Sequence, residues 1–211
     1  MTPTGRRRGR PPKQDAGDTK EELLQAALAL FAAKGYEGTS VRDIARAVGL
    51  SEGGLYAHFD GKRAIFDAAL ARLGPPSAVQ VLDGLDVDPD TDPPRFLRLL
   101  VTRVMAEWSA PPSRQLISLM SHDDMIHEPA LLAGILASLG ILTQLFGRWI
   151  EAGRIAADAG SPDDLAYALM APVALARVLW LHNGARPEEI EAARQRADRH
   201  AELFVRVAFR S

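Results

Sequence analysis

The stretch from Gly38 to Lys62 constrains the fold more than any other part of the chain, because it encodes two short helices joined by a glycine turn. Ser40 supplies an N-cap, and Asp43 follows at the spacing of a capping box. Apolar residues then recur at three- and four-residue intervals, which predicts a helix with one buried face. Gly49 ends this helix, since glycine takes the left-handed conformation without a steric clash.

A second helix is predicted after another N-cap, Ser51, and should span Glu52 to Phe59. Its start carries Gly53 and Gly54, which each cost about 1 kcal/mol relative to alanine, so they are a poor choice for stability alone. They would let the backbone approach a partner closely. Because helix N-termini favour phosphate and a recognition helix enters the major groove by its first residues, the unit is predicted to be a DNA-binding helix-turn-helix.

This region strongly resembles the N-terminal domain of the TetR family of repressors, over about residues 20 to 70. The residues that carry the resemblance are Gly38, Thr39, Ile44, Ala45, Gly49, Leu55, Tyr56, His58, Phe59 and Lys62. It implies an all-helical homodimer, with the helix-turn-helix at one end and a larger helical domain that binds a small inducer.

The resemblance also implies which residues touch DNA. Phosphate contacts are expected from Tyr56, His58, Lys62 and the hydroxyls near Thr39, Ser40 and Ser51, and base contacts from Arg42, Glu52, Gly53 and Gly54. Glu52 departs from the basic or neutral residue that many members carry. Its carboxylate could accept a hydrogen bond from a cytosine amine, but an acidic residue that complements the helix dipole is the favoured interpretation.

Residues 1–18 are predicted to be a disordered basic arm. The arm contains Arg8-Gly9-Arg10-Pro11, which resembles the core of an AT-hook, so Arg8 and Arg10 are candidates for minor-groove contacts. The favoured alternative is nonspecific phosphate affinity. The charge distribution agrees with either, because residues 1–72 hold 12 basic and 9 acidic residues, which leaves 13 and 18 of the totals of 25 and 27 for the rest.

Composition excludes several other classes of protein. The 211-residue chain is 47% hydrophobic, enough for one or two domains with a buried core, and it has no cysteine for disulfides or thiolate sites. No uninterrupted apolar run reaches the ~18 residues of a membrane span. We therefore expect a soluble, cytoplasmic protein with no membrane association.

The expected architecture is all-α. Residues 19–73 form the helix-turn-helix domain, which starts with a helix from Glu21 to Lys34 and ends with one from Lys62 to Leu73. Residues 74–93 form a connector, with a helical turn near Ala78 to Leu82. Residues 94–211 form an effector-binding and dimerisation domain. Its helices are predicted at about 94–109, 113–125, 128–153, 162–183 and 187–209.

The last two helices are the predicted dimer interface. An apolar stripe of small and aromatic residues runs along the final helix, and the helix before it is apolar on nearly every side. The stripe consists of Ile190, Ala193, Ala197, Ala201, Phe204 and Ala208. Packing within one chain is the alternative. A twofold dimer would place two recognition helices about 34 to 36 Å apart and would require a pseudo-palindromic operator.

The effector site is inferred from the resemblance and from bulky residues of the middle helices. The candidates are Met105, Trp108, Met120, Met125, Trp149, Met170, Arg177 and Trp180. Methionine and tryptophan at helical spacing usually belong to a core, so each has that alternative. Arg177 lies among apolar residues and needs a partner if buried. That partner could be an anionic ligand or a carboxylate across the dimer, and the second is favoured.

No catalytic residue, metal site or cofactor is predicted. The cluster from Ser121 to Glu128 offers imidazoles and carboxylates, but His122 and His127 lie about 140° apart around a helix, too far for a common ion. The sequence has no nucleophile-elbow, P-loop or dinucleotide-binding pattern.

The resulting hypothesis is a transcriptional repressor that a small-molecule inducer releases from a palindromic operator. A ligand-independent activator or nucleoid-type protein with the same DNA-binding domain is the alternative. An enzyme that carries a helix-turn-helix is the third possibility.

Overall fold

The computed structural model describes residues 16–73, 78–120 and 129–209, and within these ranges the regular structure is entirely helical. The chain forms ten helices there: α1 (Ala16–Lys34), α2 (Val41–Ala47), α3 (Glu52–Tyr56), α4 (Lys62–Leu73), α5 (Ala78–Asp83), α6 (Pro93–Ser109), α7 (Pro111–Met120), α8 (Pro129–Glu151), α9 (Pro162–Trp180) and α10 (Pro187–Ala208). The predicted all-α fold class is confirmed.

The N-terminal helices enclose a core of their own. Helix α1 packs against α2 and α4, and α2 packs against α3. Phe31 and Phe66 meet edge to face with ring centroids 5.8 Å apart, and Leu23, Ile44 and Leu55 are fully buried beside them. Aromatic pairs in this geometry add to the stabilisation from apolar burial. This core fixes the orientation of α2 and α3 relative to α1.

A larger core lies between α6, α8, α9 and α10. Trp149 is almost completely buried, and the rings of Phe96, Phe146 and Phe209 lie within 5.2–6.2 Å of its ring. Helix α5 packs against α6 and α8. The acidic connector is thus joined to the bundle by a short helix, close to the helical turn predicted there.

Proline defines the start of every helix from α6 to α10. Each begins on a proline, at position 93, 111, 129, 162 or 187. The first residues of a helix lack an intrahelical partner for their N–H, so proline is well suited to these positions. For this reason α7 begins at Pro111, although the Pro111-Pro112 pair was expected to separate two helices.

Two other predicted boundaries are wrong. Helix α1 begins at Ala16, so the last residues assigned to the basic arm are helical. Helix α3 ends at Tyr56 rather than Phe59, because the His58 amide donates to the Leu55 carbonyl at 2.8 Å and tightens the chain into a turn. Residues 1–15, which include Arg8 and Arg10, lie outside the described residues, as does the cluster from Ser121 to Glu128.

Helix α7 joins the two cores. Leu116 and Leu119 are buried among the N-terminal side chains, against α1 and α4. On the other side, the Ser118 hydroxyl accepts a hydrogen bond from the Asn183 amide at 2.9 Å, and Arg114 donates to the Ala185 carbonyl at 3.3 Å. Asn183 and Ala185 lie in the turn between α9 and α10. Helix α7 therefore contacts the N-terminal core and the bundle at once.

The apolar stripe on α10 faces inward, and its assignment to a dimer interface is wrong. Ala193, Ala197 and Ala201 are at most 2% exposed and belong to the bundle core. Small side chains let α6 and α9 approach α10 closely within one chain, so the same pattern serves intrachain packing. The large apolar residues that remain exposed on α9 and α10 are Tyr167, Leu175, Val178, Leu179, Leu203 and Val207.

Within the described residues, one helical segment has the length and apolar composition of a membrane span. It is Leu132–Glu151 in α8, of which 22% is buried. Its second half contributes Phe146 and Trp149 to the bundle core, whereas Leu132, Ile135 and Leu136 in the first half are exposed. Core helices pass the same test of length and composition.

Candidate functional site

Helix α2 is fixed at both ends by local interactions. The Ser40 hydroxyl accepts a hydrogen bond from the Asp43 amide at 3.1 Å, and the Ser40 amide donates to the Asp43 carboxylate at 3.3 Å, which completes the predicted capping box. Hydrogen bonds from the Ser40 side chain and backbone lower the pKa of Asp43. Gly49 has φ of 73°, the left-handed conformation expected of it. The turn between α2 and α3 is therefore well defined.

Helix α3 presents an open backbone at its start. The Ser51 hydroxyl accepts from the Gly54 amide at 3.1 Å, which confirms the predicted N-cap. A Cβ atom added at Gly53 would meet nothing within 4 Å, so packing inside the chain gives no reason for glycine there. Glycine also lowers helix stability by about 1 kcal/mol relative to alanine. The open space lies on the outer side of α3, where a partner can approach.

Two candidates for base recognition lie side by side across the turn. The Arg42 Nε atom on α2 is 3.7 Å from the Glu52 Oε1 atom on α3, and both side chains are more than half exposed. Exposed pairs of this kind add little to stability, roughly 0 to 1 kcal/mol, so neither group is required by the fold. Together with Gly53 they form one continuous exposed surface.

Tyr56 and His58 border the same surface. Tyr56 is 52% exposed at the end of α3, and His58 is half-buried in the turn that follows. Leu55 and Phe59 point the other way and are buried in the N-terminal core, as predicted. An exposed tyrosine whose neighbours in sequence hold the helix in place is suited to contact a partner.

Thr39 and Lys62 are engaged within the chain. Thr39 is 2% exposed, and its hydroxyl donates to the Gly35 carbonyl at 2.8 Å. The Lys62 Nζ atom donates to the Tyr36 carbonyl at 2.8 Å and lies 4.2 Å from the centre of the Tyr36 ring. Both residues tie the end of α1 to the following helices. In this conformation Thr39 supports the surface from below and does not offer a free hydroxyl.

The bundle contains a cavity of about 100 Å³ between α5, α6, α8 and α9. Its walls are mainly aliphatic, with Trp108, Met170, Glu107 and Ser138 among them. The full set of lining residues is Val81, Leu82, Leu100, Val104, Glu107, Trp108, Ser138, Ile141, Leu142 and Met170. The Glu107 carboxylate is paired with Arg103 at 2.9 Å, and the Ser138 hydroxyl donates to the Gly134 carbonyl. An apolar ligand fits these walls.

The structure places the predicted effector residues in different environments. Trp108 and Met170 line the cavity, whereas Met105 and Trp149 are buried in the core and are not among its lining residues. Trp180 is half-buried, with the guanidinium of Arg196 over its ring at 5.1 Å. Met120 ends α7, and Met125 lies outside the described residues.

Arg177 lies beside the cavity wall. Its guanidinium carbon is 4.6 Å from the centre of the Trp108 ring, and its Nε and Nη2 atoms are buried with no hydrogen-bond partner among the described residues. Burial lowers the pKa of Arg177 to about 10, so the group stays cationic at neutral pH. A buried cation without an anion is costly, and this one is adjacent to a cavity.

Comparison with known proteins agrees with this geometry. The family described as bacterial regulatory proteins, tetR family, matches residues 23–69, which span α1 to α4. The chain is 39% identical over 51 residues to the biofilm operon icaADBC HTH-type negative transcriptional regulator IcaR of Staphylococcus aureus. The structure of NalD, the secondary repressor of the MexAB-OprM multidrug efflux pump in Pseudomonas aeruginosa, superimposes with a TM-score of 0.68 at 25% identity, over 93% of this chain and 100% of that one. Residues 23–69 therefore belong to the TetR family of DNA-binding domains.

Similarity in sequence to the curated regulators covers only part of the chain. The match to IcaR covers 24% of this chain and 27% of that protein. The HTH-type transcriptional regulator SrpR of Pseudomonas putida is 28% identical over 111 residues, which cover 53% of this chain and 49% of SrpR. The chain thus spans a quarter to a half of the length of these relatives. The family match covers residues 23–69, whereas the likeness in fold to NalD extends over the bundle as well.

Sequence reasoning missed most of the cavity in the bundle. Val81 and Leu82 on α5 belong to its wall, although the surrounding connector is rich in aspartate. Two adjacent apolar residues in an acidic segment were the available signal. Ile141 and Leu142 on α8 could not be distinguished by sequence from their equally apolar neighbours.

Within residues 16–73, 78–120 and 129–209, no group of three or more histidine, aspartate and glutamate side chains is placed to hold a metal ion. The His122 and His127 pair lies outside those ranges.

Proposed function

We propose that this chain is a dimeric, cytoplasmic, non-enzymatic transcriptional repressor that binds a palindromic operator through α3 and is released by a small, largely apolar effector. The observation that carries the proposal is the exposed surface of Arg42, Glu52, Gly53 and Tyr56. None of these residues is needed by the core, and all lie on or beside the second helix of a helix-turn-helix. That helix enters the major groove in proteins of this architecture.

A dimer is supported by the outer faces of α9 and α10. Leu175, Val178 and Leu179 on α9 are 51–57% exposed, and Leu203 and Val207 on α10 are 55% and 51% exposed. A contiguous apolar surface of this kind is typical of a contact between proteins. A twofold axis through the pair of helices would give two copies of α3 with a fixed separation, which a palindromic operator requires.

Release by an effector is supported by the position of α7. Trp108 lies near the C-terminal end of α6, and α7 begins at Pro111, directly after that helix. A ligand that widens the cavity displaces the end of α6 and with it α7. Because Leu116 and Leu119 of α7 are part of the N-terminal core, the DNA-binding unit moves too. An effector with higher affinity for the displaced state then lowers the affinity for DNA.

The test is fluorescence anisotropy of the protein with labelled upstream intergenic DNA and with a shuffled duplex, at about 50 and about 200 mM salt. We expect sequence-dependent binding at both salt concentrations, with a stoichiometry of whole dimers. Arg42→Ala should weaken binding to the specific duplex. Arg98→Ala is the control, because Arg98 also makes a solvent-exposed ion pair, with Glu202 in the bundle.

Binding that ignores sequence and collapses at the higher salt would contradict the repressor proposal and favour a nucleoid-type protein. Specific binding that stimulates transcription, or that no ligand reverses, would favour a ligand-independent activator.

A further inference from the structure

The proposed function does not specify the chemical class of the effector. The environment of Arg177 indicates that class. We infer that the effector is an amphipathic anion, with an apolar body in the cavity and a carboxylate or similar group on Arg177. This inference rests on the proposed function only for its consequence in gene regulation, because binding of the anion can be measured without DNA.

The first step is the state of the guanidinium. The Nε and Nη2 atoms of Arg177 are buried and have no hydrogen-bond partner among the described residues. A guanidinium is a fork of donors that matches a carboxylate or phosphate, and buried charges are normally paired. The face of the Trp108 ring covers it, at 4.6 Å. A cation–π contact holds the group in place but leaves these two donors unused.

The second step is the position of the group. Trp108 borders the cavity and also covers Arg177, so the indole touches both. Met170 of the same wall lies two helical turns before Arg177 on α9, which puts both residues on one face of that helix. The cavity, at about 100 Å³, is smaller than the ~300 Å³ of typical ligand sites. A ligand that displaces the indole enlarges the cavity and reaches the unpaired donors in the same movement.

The third step is the charge of the lining. Glu107 is the acidic residue in the wall, and its carboxylate is already paired with Arg103 at 2.9 Å. The remaining lining residues are aliphatic, aromatic or hydroxyl-bearing. Arg177 is therefore the unbalanced charge at this site, and a neutral or cationic ligand would leave it so.

A carboxylate from a second copy of the chain is the competing partner. Next to Arg177, the exposed face of α9 includes Leu175, Val178 and Leu179, whereas the two unpaired nitrogens of Arg177 are buried against the chain's own α6. A group that approaches from that outer face meets leucine and valine side chains. The site is open to the cavity side once the indole moves, which favours the ligand.

Isothermal titration calorimetry of the full chain with three probes of equal length tests the inference: octanoate, 1-octanol and octylammonium. We expect octanoate to bind at least about tenfold more tightly than 1-octanol, since a hydrogen bond to a charged group contributes about that factor or more. Octylammonium should bind more weakly than either. Arg177→Gln should abolish the preference for octanoate, and Arg177→Lys should retain part of it.

Arg196→Gln is the matched control. Arg196 also lies over a tryptophan ring, that of Trp180 at 5.1 Å, but it is exposed, so its loss should leave the preference intact. Equal affinities of wild-type protein for octanoate and octanol would overturn the inference, whether or not any variant folds. So would a preference that survives in Arg177→Gln.

Sedimentation equilibrium tests the competing explanation, in which a carboxylate from a second copy of the chain pairs with Arg177. Dissociation of the dimer by Arg177→Gln, together with equal octanoate and octanol affinities in the wild type, would assign Arg177 to the partner chain and overturn the inference. Failure of the proposed function gives a different result. If octanoate binds with the expected preference but does not release DNA, the anion site stands and the effector-release proposal fails.

Discussion

The helix-turn-helix and the cavity side of the bundle differ in how completely their polar groups are satisfied. In the first region, Ser40, Asp43 and Ser51 all bond to backbone groups within three residues. In the second, Arg177 keeps buried donors without a partner among the described residues, and it lies against a tryptophan that lines an unfilled volume. A complete, rigid surface suits a partner of constant shape such as DNA. An incomplete interior suits a ligand that completes it.

The largest effect we expect is in the bundle core. Phe146→Ala should lower the free energy of unfolding by about 3 to 5 kcal/mol, because the fully buried ring packs on Trp149 and Phe204 and its loss leaves a cavity. Urea unfolding monitored by circular dichroism measures the change. Leu99→Ala, at a 36% exposed position on α6, is the control and should cost much less. Equal losses would mean that the bundle core is loosely packed.

Removing the unpaired charge should have the opposite sign. Arg177→Met should raise the free energy of unfolding by about 1 to 3 kcal/mol without added ligand, since it removes buried donors that lack partners. Because the folded-state pKa of Arg177 is lowered to about 10, its penalty is fully present below that pH and declines as pH rises further. The gain should therefore be constant from pH 7 to 9. A destabilised variant would show that Arg177 is satisfied in solution.

Two serine N-caps, one in the helix-turn-helix and one in the bundle, allow a direct comparison of the two regions. Ser51 and Ser161 each accept from a backbone amide three residues on, at 3.1 Å, so Ser51→Ala and Ser161→Ala should each cost about 1 kcal/mol. Only Ser51→Ala should also weaken binding to operator DNA, because α3 carries the proposed recognition surface. If the two variants had equal effects on the affinity for DNA measured by anisotropy, α3 would have no special part in DNA recognition.

The smallest expected change in stability concerns two open glycines. A Cβ at Gly53 or at Gly134 would meet nothing within 4 Å, so Gly53→Ala and Gly134→Ala should each raise the free energy of unfolding by up to about 1 kcal/mol. Gly53→Ala should nevertheless weaken DNA binding, since the added methyl group occupies the space of close approach. Unchanged affinity in Gly53→Ala would show that no partner comes that near.

The helix-turn-helix was predictable because its signals are local. Ser40 and Ser51 cap helices where the sequence placed them, and Gly49 has the expected left-handed backbone. The end of α3 was missed, since the apolar spacing of Leu55 and Phe59 is the same in a helix and in the turn that follows Tyr56.

The helices of the bundle could be predicted from the sequence, but which of their faces are buried could not. The stripe on α10 has the small residues that close helix packing needs, and that requirement is identical within a chain and between chains. Which side faces inward depends on packing against α9 and against α6, and α6 is distant in sequence. The cavity was less predictable still, because a void is left by several helices together and no single pattern encodes it.

The place of α7 in two cores has a consequence for how such chains can diversify. An exchange of segments between relatives at the connector after α4 would separate Leu116 and Leu119 from the N-terminal side chains they pack against. In a recombinant with its first four helices from one parent and α7 from another, Leu116 and Leu119 must still fit the N-terminal core against which they pack. The helix-turn-helix domain of α1 to α4 therefore cannot be exchanged alone. The segment that is inherited together must include α7, which begins some forty residues after α4 ends.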